Sequence, residues 1–316
     1  MRKALSLLKR VIKRLLFPAP PPMTIPKKEY EWSIGIYYGT SPFSFGPPKN
    51  VDNPVLTRKD VSDVPAAIVA DPFMLRRDNT WYMFFEVMNQ QTKKGEIGLA
   101  SSENGVKWTY QQIVLAEPFH LSYPYVFHWA DNYYMIPESY QANSIRLYKA
   151  LPFPTHWLFV ATLLSGGIFL DSSIFFYDDK WWLFTETNAD YSQWDTLRLY
   201  YAHDLTGPWL EHPQSPIVEG NERIARPAGR VVVLNHSIIR YAQDCYPIYG
   251  TQVRAFELSE LTTTSYSEQE VAESPVLTTS EAGWNESGMH HIDPHRLDDG
   301  RWIACVDGRL VREVNA

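Results

Sequence analysis

The stretch DPFMLRRDNTWYMFFE, residues 71–86, contains two apolar and aromatic runs separated by the polar pair Asp78-Asn79. Runs of about six residues with this composition are typical of β-strands, and a polar pair between them suits a tight reversal. The stretch therefore predicts a β-hairpin that begins at Asp71 and ends at Glu86.

The hairpin pattern returns along the chain. Two close copies are YPYVFHWADNYYMIPE, residues 123–138, and DSSIFFYDDKWWLFTE, residues 171–186, and each again ends in a glutamate. Two looser copies occupy residues 226–244 and 293–308. The copies recur roughly every 50 to 65 residues, and a period of about 40 to 50 residues of short strands is how β-propellers appear in sequence. The repeats therefore predict an all-β fold, a five-bladed β-propeller.

Further strands fill each predicted blade. The first three hairpins are followed by the runs Ile97–Ala100, Ser144–Ala150 and Leu197–Ala202, and a tryptophan lies near a fourth short strand each time. Four antiparallel strands per blade is the usual number. The aromatic segment from Tyr30 to Val61 is expected to supply a closing strand, because propellers often complete one blade with the other terminus.

Composition excludes several classes of function. The chain has 316 residues and a formal net charge of −7, whereas a nucleic-acid-binding domain carries a strongly basic face. The only cysteines, Cys245 and Cys305, form no CxxC pair, which predicts no disulfide and a reducing, cytoplasmic compartment. The histidines of the cluster His290, His291 and His295 lack the helical spacing of a zinc protease. We therefore predict no metal site, no cofactor and no nucleic-acid partner.

Residues 1–26 differ from residues 27–316, which are expected to form the propeller. Residues 1–17 place leucines on one helical face and contain six basic residues and no acid, which predicts a short amphipathic helix. The prolines that follow predict a stiff spacer. The apolar run is too short to span a bilayer, so the helix is expected to lie on an anionic membrane surface or to dock on a partner. A leader segment or the tail of a lost upstream domain is the alternative.

The ends of the inner strands predict a site. The innermost strands of a propeller line its central channel, so the first residues of the hairpins should gather at one mouth. These residues are Asp71, Tyr123, Asp171, Arg226 and Asp293. The glutamates that end the first three hairpins should face the first residues across the strands, with Cβ atoms about 5 Å apart. They are Glu86, Glu138 and Glu186.

Crowded carboxylates shift each other's pKa values, which is the basis of acid and base chemistry on a glycosidic bond. We therefore predict catalytic roles for four of these residues, namely Asp71, Asp171, Glu138 and Glu186. The alternative is that the glutamates hold neighbouring blades together through arginine and backbone N–H groups.

Arg226 extends the predicted site to substrate binding. A guanidinium presents a planar fork to phosphate or carboxylate, so we expect an anionic or phosphorylated saccharide. The alternative is that Arg226 is a buried counter-ion. Aromatic side chains such as Tyr125 and Trp194 offer flat faces for sugar rings. The predicted substrate-binding residues are Tyr123, Arg226, Gln243, Asp244 and His291, with Arg230 beside them.

Several motifs resemble known propellers. The block at residues 71–86, the A-S-S-x-N-G-x-x-W block at Ala100–Trp108 and the Y-A-x-x-x-x-G-P-W block at Tyr201–Trp209 look like arabinanase, xylosidase and invertase-like glycoside hydrolases. More closely, the span from about Tyr123 to Glu260, with YPYVF, IPES, ARPAGR and AQDC, resembles the propeller region at the N-terminus of plant glucosamine inositolphosphorylceramide transferases.

The resemblance implies roles for individual residues. In the hydrolases an aspartate of the first blade acts as base and one of the third blade orients the acid; these map on Asp71 and Asp171. The acid itself is a glutamate two residues before a proline at the start of the fourth blade, and Ala225 occupies that position here. Glu138 or Glu186 could donate the proton instead.

Two functions follow from these expectations. One is a carbohydrate-active enzyme that cleaves or transfers a glycosyl unit of a glycan or glycolipid at the channel mouth. The other is a non-catalytic glycan-recognition module that assists a separate glycosyltransferase partner. The missing glutamate favours the module, and the retained aspartates favour the enzyme.

We expect residues 1–17 to attach the chain to anionic membranes. Each basic residue near such a surface contributes about 1 kcal/mol, and salt weakens the attachment. The full chain should therefore co-sediment with anionic vesicles at low salt, whereas a chain that starts at Met23 should stay in the supernatant. Neutral vesicles are the control. Equal sedimentation of the two chains, or sedimentation of neither, would contradict this expectation.

Overall fold

The computed structural model describes residues 27–188 and 195–314. Its main compact unit is Glu31–Leu310, and residues 27–30 and 311–314, the ends of two strands, belong to a second unit. In chain order the strands are β1 (Lys27–Ser41), β2 (Ser44–Gly46), β3 (Ala66–Arg77), β4 (Thr80–Asn89), β5 (Lys94–Ser102), β6 (Thr109–Leu115), β7 (Ser122–Trp129), β8 (Asn132–Glu138), β9 (Ser144–Ala150), β10 (Trp157–Ser165), β11 (Ile168–Tyr177), β12 (Lys180–Asn188), β13 (Leu197–Ala202), β14 (Leu210–Glu211), β15 (Val232–Leu234), β16 (Ser237–Asp244), β17 (Gln252–Leu261), β18 (Tyr266–Glu270), β19 (Ile292–Arg296) and β20 (Trp302–Val314). One turn of 3-10 helix spans Tyr140–Ala142.

The described strands form five four-stranded sheets, the blades. Blade I contains β3 to β6, blade II β7 to β10, blade III β11 to β14 and blade IV β15 to β18, with neighbouring strands in sequence order. Blade V has the order β19-β20-β1-β2, so strands from both ends of the chain complete it. The five-bladed propeller, its four-stranded blades and its closing strand are therefore confirmed. The predicted amphipathic helix, like all of residues 1–26, lies outside the described residues.

The part of the chain that the structure describes contains no helix with the length and apolar character needed to cross a membrane.

The hairpin turns use the residues that the sequence indicated. Asp78 in blade I, Asp131 in blade II, Asp179 in blade III and Asn235 in blade IV have φ values of 55°, 62°, 54° and 49°. Asp and Asn tolerate this left-handed region better than other residues with a side chain, because their short polar groups bond to the local backbone. The Asp and Asn pairs therefore fix where each inner hairpin reverses.

A bulge at the start of β3 changes the expected pairing. Ala70, not Asp71, lies opposite Glu86, and the register then shifts before Phe73 pairs with Phe84. A bulge of this kind adds one residue to one strand and bends it. The expected pairing of Asp71 with Glu86 is therefore wrong by one residue, and Asp71 has a φ of 53°.

The same bulge recurs in the next two blades. Ser122 pairs with Glu138 in blade II and Leu170 with Glu186 in blade III, so the pairing is shifted by one residue there as well. The bulged residues of the first three inner hairpins all have positive φ: Asp71, Tyr123 (44°) and Asp171 (46°).

Apolar side chains fill the space between neighbouring blades. One buried core contains Phe73 and Phe84 of blade I with Tyr125 and Trp157 of blade II. The rings of Phe84 and Trp157 meet edge to face with centroids 5.3 Å apart. Burial of one such side chain contributes about 1.5–3 kcal/mol. Because each blade shares a core with its neighbour, the starts of the inner strands are held close to one another.

Gly229 allows blades IV and V to approach closely. It has a φ of 135° and forms a parallel bridge with Ile292. A Cβ atom at this position would lie 1.7 Å from the Ile292 carbonyl oxygen. Glycine is the residue without this clash, because it has no Cβ and accepts positive φ.

Gly229→Ala should destabilise the protein by about 3 kcal/mol or more, because backbone atoms of both blades must move apart. Gly46→Ala is the matched control, since a Cβ there meets no atom within 4 Å. It should change the free energy of unfolding by less than about 0.5 kcal/mol. Urea unfolding at neutral pH measures both values. Similar stability of the two variants would show that the close approach is not needed.

Candidate functional site

A group of buried polar residues lies where the inner strands of the five blades converge. Every member is at most 5% exposed, and every blade contributes at least one member. We call this group the axial cluster; it consists of Asp71, Glu138, Asp171, Glu186, Arg226, Gln243, His290, His291 and Asp307.

Arg226 makes the central contacts of one half of the cluster. Its Nε donates to Asp171 Oδ2 at 2.6 Å, and its terminal nitrogens lie 3.5 Å from Glu138 Oε2 and 3.6 Å from Glu186 Oε2. Gln243 Nε2 donates to the same Asp171 oxygen at 2.6 Å. Burial opposes the charge of Arg226, but Asp171 and its neighbours outweigh burial and hold the pKa of Arg226 well above its usual range. This geometry favours the counter-ion alternative over direct substrate binding.

Glu138 and Glu186 are buried acids with raised pKa values. Glu138 Oε2 accepts a hydrogen bond from the backbone N–H of Asp171 at 3.0 Å, across the boundary between two blades. Among the described residues, neither carboxyl oxygen of Glu186 has a hydrogen-bond partner. Burial raises the pKa of Glu138 well above its usual range and that of Glu186 to about 8. Glu186 is therefore mainly protonated at neutral pH and can donate a proton, and burial shifts Glu138 in the same direction.

Asp71 occupies the other half of the cluster. Its Oδ2 accepts the backbone N–H of Tyr123 at 3.3 Å, and its own N–H donates to Asp307 Oδ2 at 3.1 Å. Its Oδ1 has no hydrogen-bond partner within the described ranges and lies 3.6 Å from His290 Nε2. Burial raises the pKa of Asp71 to about 7, although the neighbouring His290 acts in the opposite direction. This carboxyl group can therefore exchange a proton near neutral pH.

His290 and Asp307 form a buried pair beside Asp71 that the sequence did not predict as part of the site. Ring atom Nδ1 of His290 lies 2.8 Å from the Asp307 carboxylate, and Trp32 stacks on the ring with centroids 4.2 Å apart. Burial disfavours the charged imidazole, but Asp307 outweighs burial and raises the pKa of His290. Burial also disfavours the charged carboxylate, but His290 outweighs it and lowers the pKa of Asp307. Each partner therefore stabilises the charge of the other.

His291 differs from its neighbour. It is fully buried, its ring nitrogens have no hydrogen-bond partner in the described structure, and Nδ1 lies 4.0 Å from Asp71 Oδ1. Burial lowers the pKa of His291 to about 4, so the ring is neutral. Asp71, His290 and Asp307 each offer a ligand atom within 4.8 Å of the others, and these residues could hold a small cation. The absence of a metal site stays a prediction.

Tyr123 lies inside the protein, not on an open rim. It is fully buried, its hydroxyl group lies 2.9 Å from Ser173 Oγ, and it accepts the backbone N–H of Gly229 at 2.5 Å. The ring meets His291 edge to face with centroids 5.3 Å apart. These contacts link blade II with blades III, IV and V, so direct contact of this ring with a sugar stays a prediction. Trp194 lies outside the described residues.

Asp244 is occupied by protein partners. It is fully buried, and its Oδ2 accepts from Nη2 and Nε of Arg254 at 2.8 and 2.9 Å. Its Oδ1 accepts the backbone N–H of Tyr246 at 3.1 Å. The predicted role of Asp244 in substrate binding therefore has no support from these contacts and stays a prediction.

Asp293 lies outside the axial cluster, although its Asp-Pro sequence aligns with that of Asp71. Its carboxylate is held by Arg230 Nε at 2.6 Å and by the backbone N–H of Met74 at 2.6 Å. Burial opposes its charge, but Arg230 outweighs burial and lowers the pKa of Asp293. The structure places Asp307 beside Asp71 instead. Asp307 lies one residue before the end of the last repeat, close to the place that the glutamates take in the first three, and that acid was the available signal in the sequence.

Glu86 faces His120 instead of Asp71. The His120 Nε2 and Glu86 Oε1 atoms are 3.5 Å apart. Burial lowers the pKa of His120 to about 4 and raises that of Glu86 well above its usual range. The His120 ring is therefore neutral at neutral pH, and burial favours the uncharged form of Glu86 as well.

The raised pKa of Glu186 predicts a specific pH dependence. The folded-state pKa is about 8 and the ordinary value is 4.5, so the folded protein binds the proton more tightly. The contribution of Glu186 to the free energy of unfolding is fully present at low pH and is lost as the pH rises towards 8. The loss is at most about 1.4 kcal/mol per pH unit. Glu186→Gln stays neutral, so its stability relative to the wild type should increase between pH 5 and pH 8.

Chemical unfolding at a series of pH values measures this difference. The matched control is Glu103→Gln, because Glu103 is exposed. Its stability should follow that of the wild type at every pH. If the free energy of unfolding of Glu186→Gln changes with pH in parallel with that of the wild type, Glu186 is not a buried neutral acid.

Comparison with known proteins places the chain in a family. It matches the sequence family described as "Glucosamine inositolphosphorylceramide transferase 1, N-terminal" over residues 25–309. A protein of that name from Oryza sativa subsp. japonica is 36% identical over 91% of this chain and 41% of the relative. The protein of the same name from Arabidopsis thaliana is 34% identical over 90% of this chain and 39% of the relative. The chain thus spans about two fifths of the length of these relatives.

Solved structures share the fold at low sequence identity. The catalytic domain of the Coprinopsis cinerea GH62 α-L-arabinofuranosidase superposes with a TM-score of 0.56 over 89% of this chain and 97% of that domain, at 10% identity. This likeness concerns the fold alone. From the match over residues 25–309, the chain belongs to the family of glucosamine inositolphosphorylceramide transferase 1 N-terminal regions.

Proposed function

We propose that the propeller is carbohydrate-active and acts on the glycan part of a glycolipid at the axial cluster, by glycosyl cleavage or transfer. The relatives support this class of substrate, because their name contains an amino sugar, a phosphorylated cyclitol and a lipid. In this proposal Asp71 accepts a proton from the water or acceptor hydroxyl group whose oxygen bonds to the anomeric carbon. Glu186 or Glu138 donates a proton to the glycosidic oxygen as its bond to that carbon breaks, and Asp171 with Arg226 supplies fixed charges.

The proposal depends mainly on the pKa and the hydrogen bonding of the Asp71 carboxyl group. Its pKa is raised to about 7, and its Oδ1 has no hydrogen-bond partner among the described residues. A general base is most effective when its pKa lies near the working pH. The Asp71 side chain is 8% exposed, whereas that of Glu186 is fully buried. Asp71 is therefore the acid that a bound sugar would meet first.

The other acids support a division of roles. The pKa of Glu186 is raised to about 8, which keeps a proton available for a leaving group. Asp171 is bound by Arg226 and Gln243 at 2.6 Å each, so it is better suited to fix the local field than to attack a sugar. Two acids whose environments set different pKa values are the usual pattern of acid and base catalysis.

A second candidate function is a recognition module without catalysis, which presents a glycan to a separate glycosyltransferase. Two observations favour it. Ala225 stands where the resemblance to hydrolases expects the acid, and the side chains of Glu138 and Glu186 are 2% and 0% exposed. The relatives are more than twice as long as the region that they share with this chain, which leaves room for such a partner in the same protein.

Membrane attachment belongs to the same proposal. Six basic residues within residues 1–17 would bring a protein of net charge −7 to an anionic surface on which glycolipids are embedded. The propeller would then act at the cytoplasmic side of that membrane.

Asp71→Asn tests the catalytic proposal. The full chain is incubated with glucosamine inositolphosphorylceramide in vesicles, and mass spectrometry follows release or transfer of the sugar. The variant should lose at least about 100-fold in turnover, as expected for removal of a general base, and should keep its binding. Asp78→Asn in the exposed turn is the matched control and should keep full activity.

The outcomes separate the two candidates. Binding without any product from the wild-type chain would support the recognition module. Absence of both binding and product would overturn the proposed function.

A further inference from the structure

The arginines near the axial cluster differ in how many of their guanidinium N–H groups already bind protein acceptors. Arg226 is bound by carboxylates, and its side chain is 6% exposed. Arg230 donates to Asp293 at 2.6 Å and to the carbonyl oxygen of Val126 at 2.9 Å. An anionic ligand would have to displace these partners, which would leave buried groups without a hydrogen bond.

Arg223 is held much more loosely. Among the described residues, its guanidinium makes one hydrogen bond, from Nη1 to Asp244 Oδ2 at the long distance of 3.5 Å. The same carboxylate oxygen already accepts two shorter bonds from Arg254. The Arg223 side chain is 44% exposed. Because a guanidinium has five N–H donors, most of those of Arg223 have no acceptor among the described residues and are available to an anion.

The backbone fixes Arg223 beside the axial cluster. Its N–H donates to Asn221 Oδ1 at 3.1 Å, in the turn that leads to Arg226. The neighbouring Glu222 accepts, through its carbonyl oxygen, the N–H of Cys245 at 3.0 Å. Cys245 directly follows Asp244, the last residue of β16, so the two loops lie together where the inner strands converge.

Tyr246 adds a flat apolar face at the same place. The Arg223 guanidinium carbon lies 4.2 Å from the centre of the Tyr246 ring, and the tyrosine is 49% exposed. The Tyr246 backbone N–H donates to Asp244 Oδ1 at 3.1 Å, which holds the backbone that carries the ring. Ile248, two residues on, is 55% exposed as well.

We infer that Arg223 and Tyr246 form a subsite for a phosphorylated cyclic polyol or sugar, with the phosphate on Arg223 and the ring against Tyr246. This inference rests on the proposed function and assigns the anion to a residue other than Arg226. The guanidinium supplies bidentate hydrogen bonds and charge, and the tyrosine supplies apolar contact for the C–H face of the ring.

The test uses the full chain and compares three soluble probes by isothermal titration: myo-inositol 1-phosphate, myo-inositol and inorganic phosphate. The wild-type chain should bind myo-inositol 1-phosphate at least 10-fold more tightly than either of the other two. Arg223→Gln should abolish the preference for the phosphate ester. Tyr246→Ala should weaken binding of the ester and of myo-inositol by a similar factor.

Arg198→Gln is the matched control. Arg198 is a partly exposed arginine of β13 that pairs with Glu211 at 2.6 Å. It should bind the ester as the wild type does, and a thermal melt of each variant verifies that it is folded. Arg223→Gln is expected to keep its fold because Arg254 still neutralises Asp244.

Sedimentation with lipid vesicles distinguishes two sources of the phosphate group, a lipid headgroup and a free phosphate ester. The reference is phosphatidylserine at the same fraction in phosphatidylcholine vesicles, because residues 1–17 are expected to bind either anionic lipid. Stronger sedimentation with phosphatidylinositol than with phosphatidylserine, with the difference lost in Arg223→Gln, identifies a lipid headgroup, whereas binding of the soluble ester alone identifies a free phosphate ester. Unchanged ester binding by Arg223→Gln, or equal loss in Arg198→Gln, overturns the subsite. If the wild-type chain binds glucosamine inositolphosphorylceramide but Arg223→Gln binds it equally, the subsite is wrong and the proposed function stands.

Discussion

The contacts of Arg226 with buried acids hold the converging ends of three blades together. One guanidinium from blade IV reaches Asp171 and Glu186 of blade III and Glu138 of blade II. Loss of one partner from a buried ion pair costs about 3–5 kcal/mol, because the other charge is left without compensation. The geometry of the axial cluster therefore depends on an interaction that the protein makes with itself, and these contacts favour a counter-ion role for Arg226.

The inner strands of three blades begin with residues in strained backbone conformations, and these residues are also held by contacts between blades. The backbone N–H of Asp71 donates to Asp307 of blade V, that of Tyr123 to Asp71 of blade I, and that of Asp171 to Glu138 of blade II. In each case a residue at positive φ donates to an acid of the preceding blade. Such backbone conformations cost about 1–3 kcal/mol each and persist where surrounding contacts hold them. Assembly of the blades thus produces both the strain and the bonds that offset it.

The sequence predicts the fold well because the determining features are local. Alternating apolar runs, Asp and Asn turns and the glutamates at hairpin ends all act within about 16 residues of one another, a range where composition and spacing are informative. The site is predicted less well because it depends on partners from other blades. The bulge at Asp71 shifts the register by one residue, and Asp307 lies where the alignment of Asp-Pro motifs expects Asp293. No local pattern reveals that Arg226 is surrounded by three acids.

The charges of the axial cluster explain how an acid-rich site can suit a glycan. Arg226 balances Asp171, and His290 balances Asp307, while burial raises the pKa values of Glu138 and Glu186 and so favours their uncharged forms. The cluster is therefore close to neutral, apart from the partial charge of Asp71, and it presents proton donors and acceptors that suit hydroxyl groups. A phosphate gains nothing from such an environment, since no unpaired positive charge is present in the cluster. Recognition of an anionic group then requires a cation outside it, and Arg223, half exposed and three residues before Arg226, is placed to provide one.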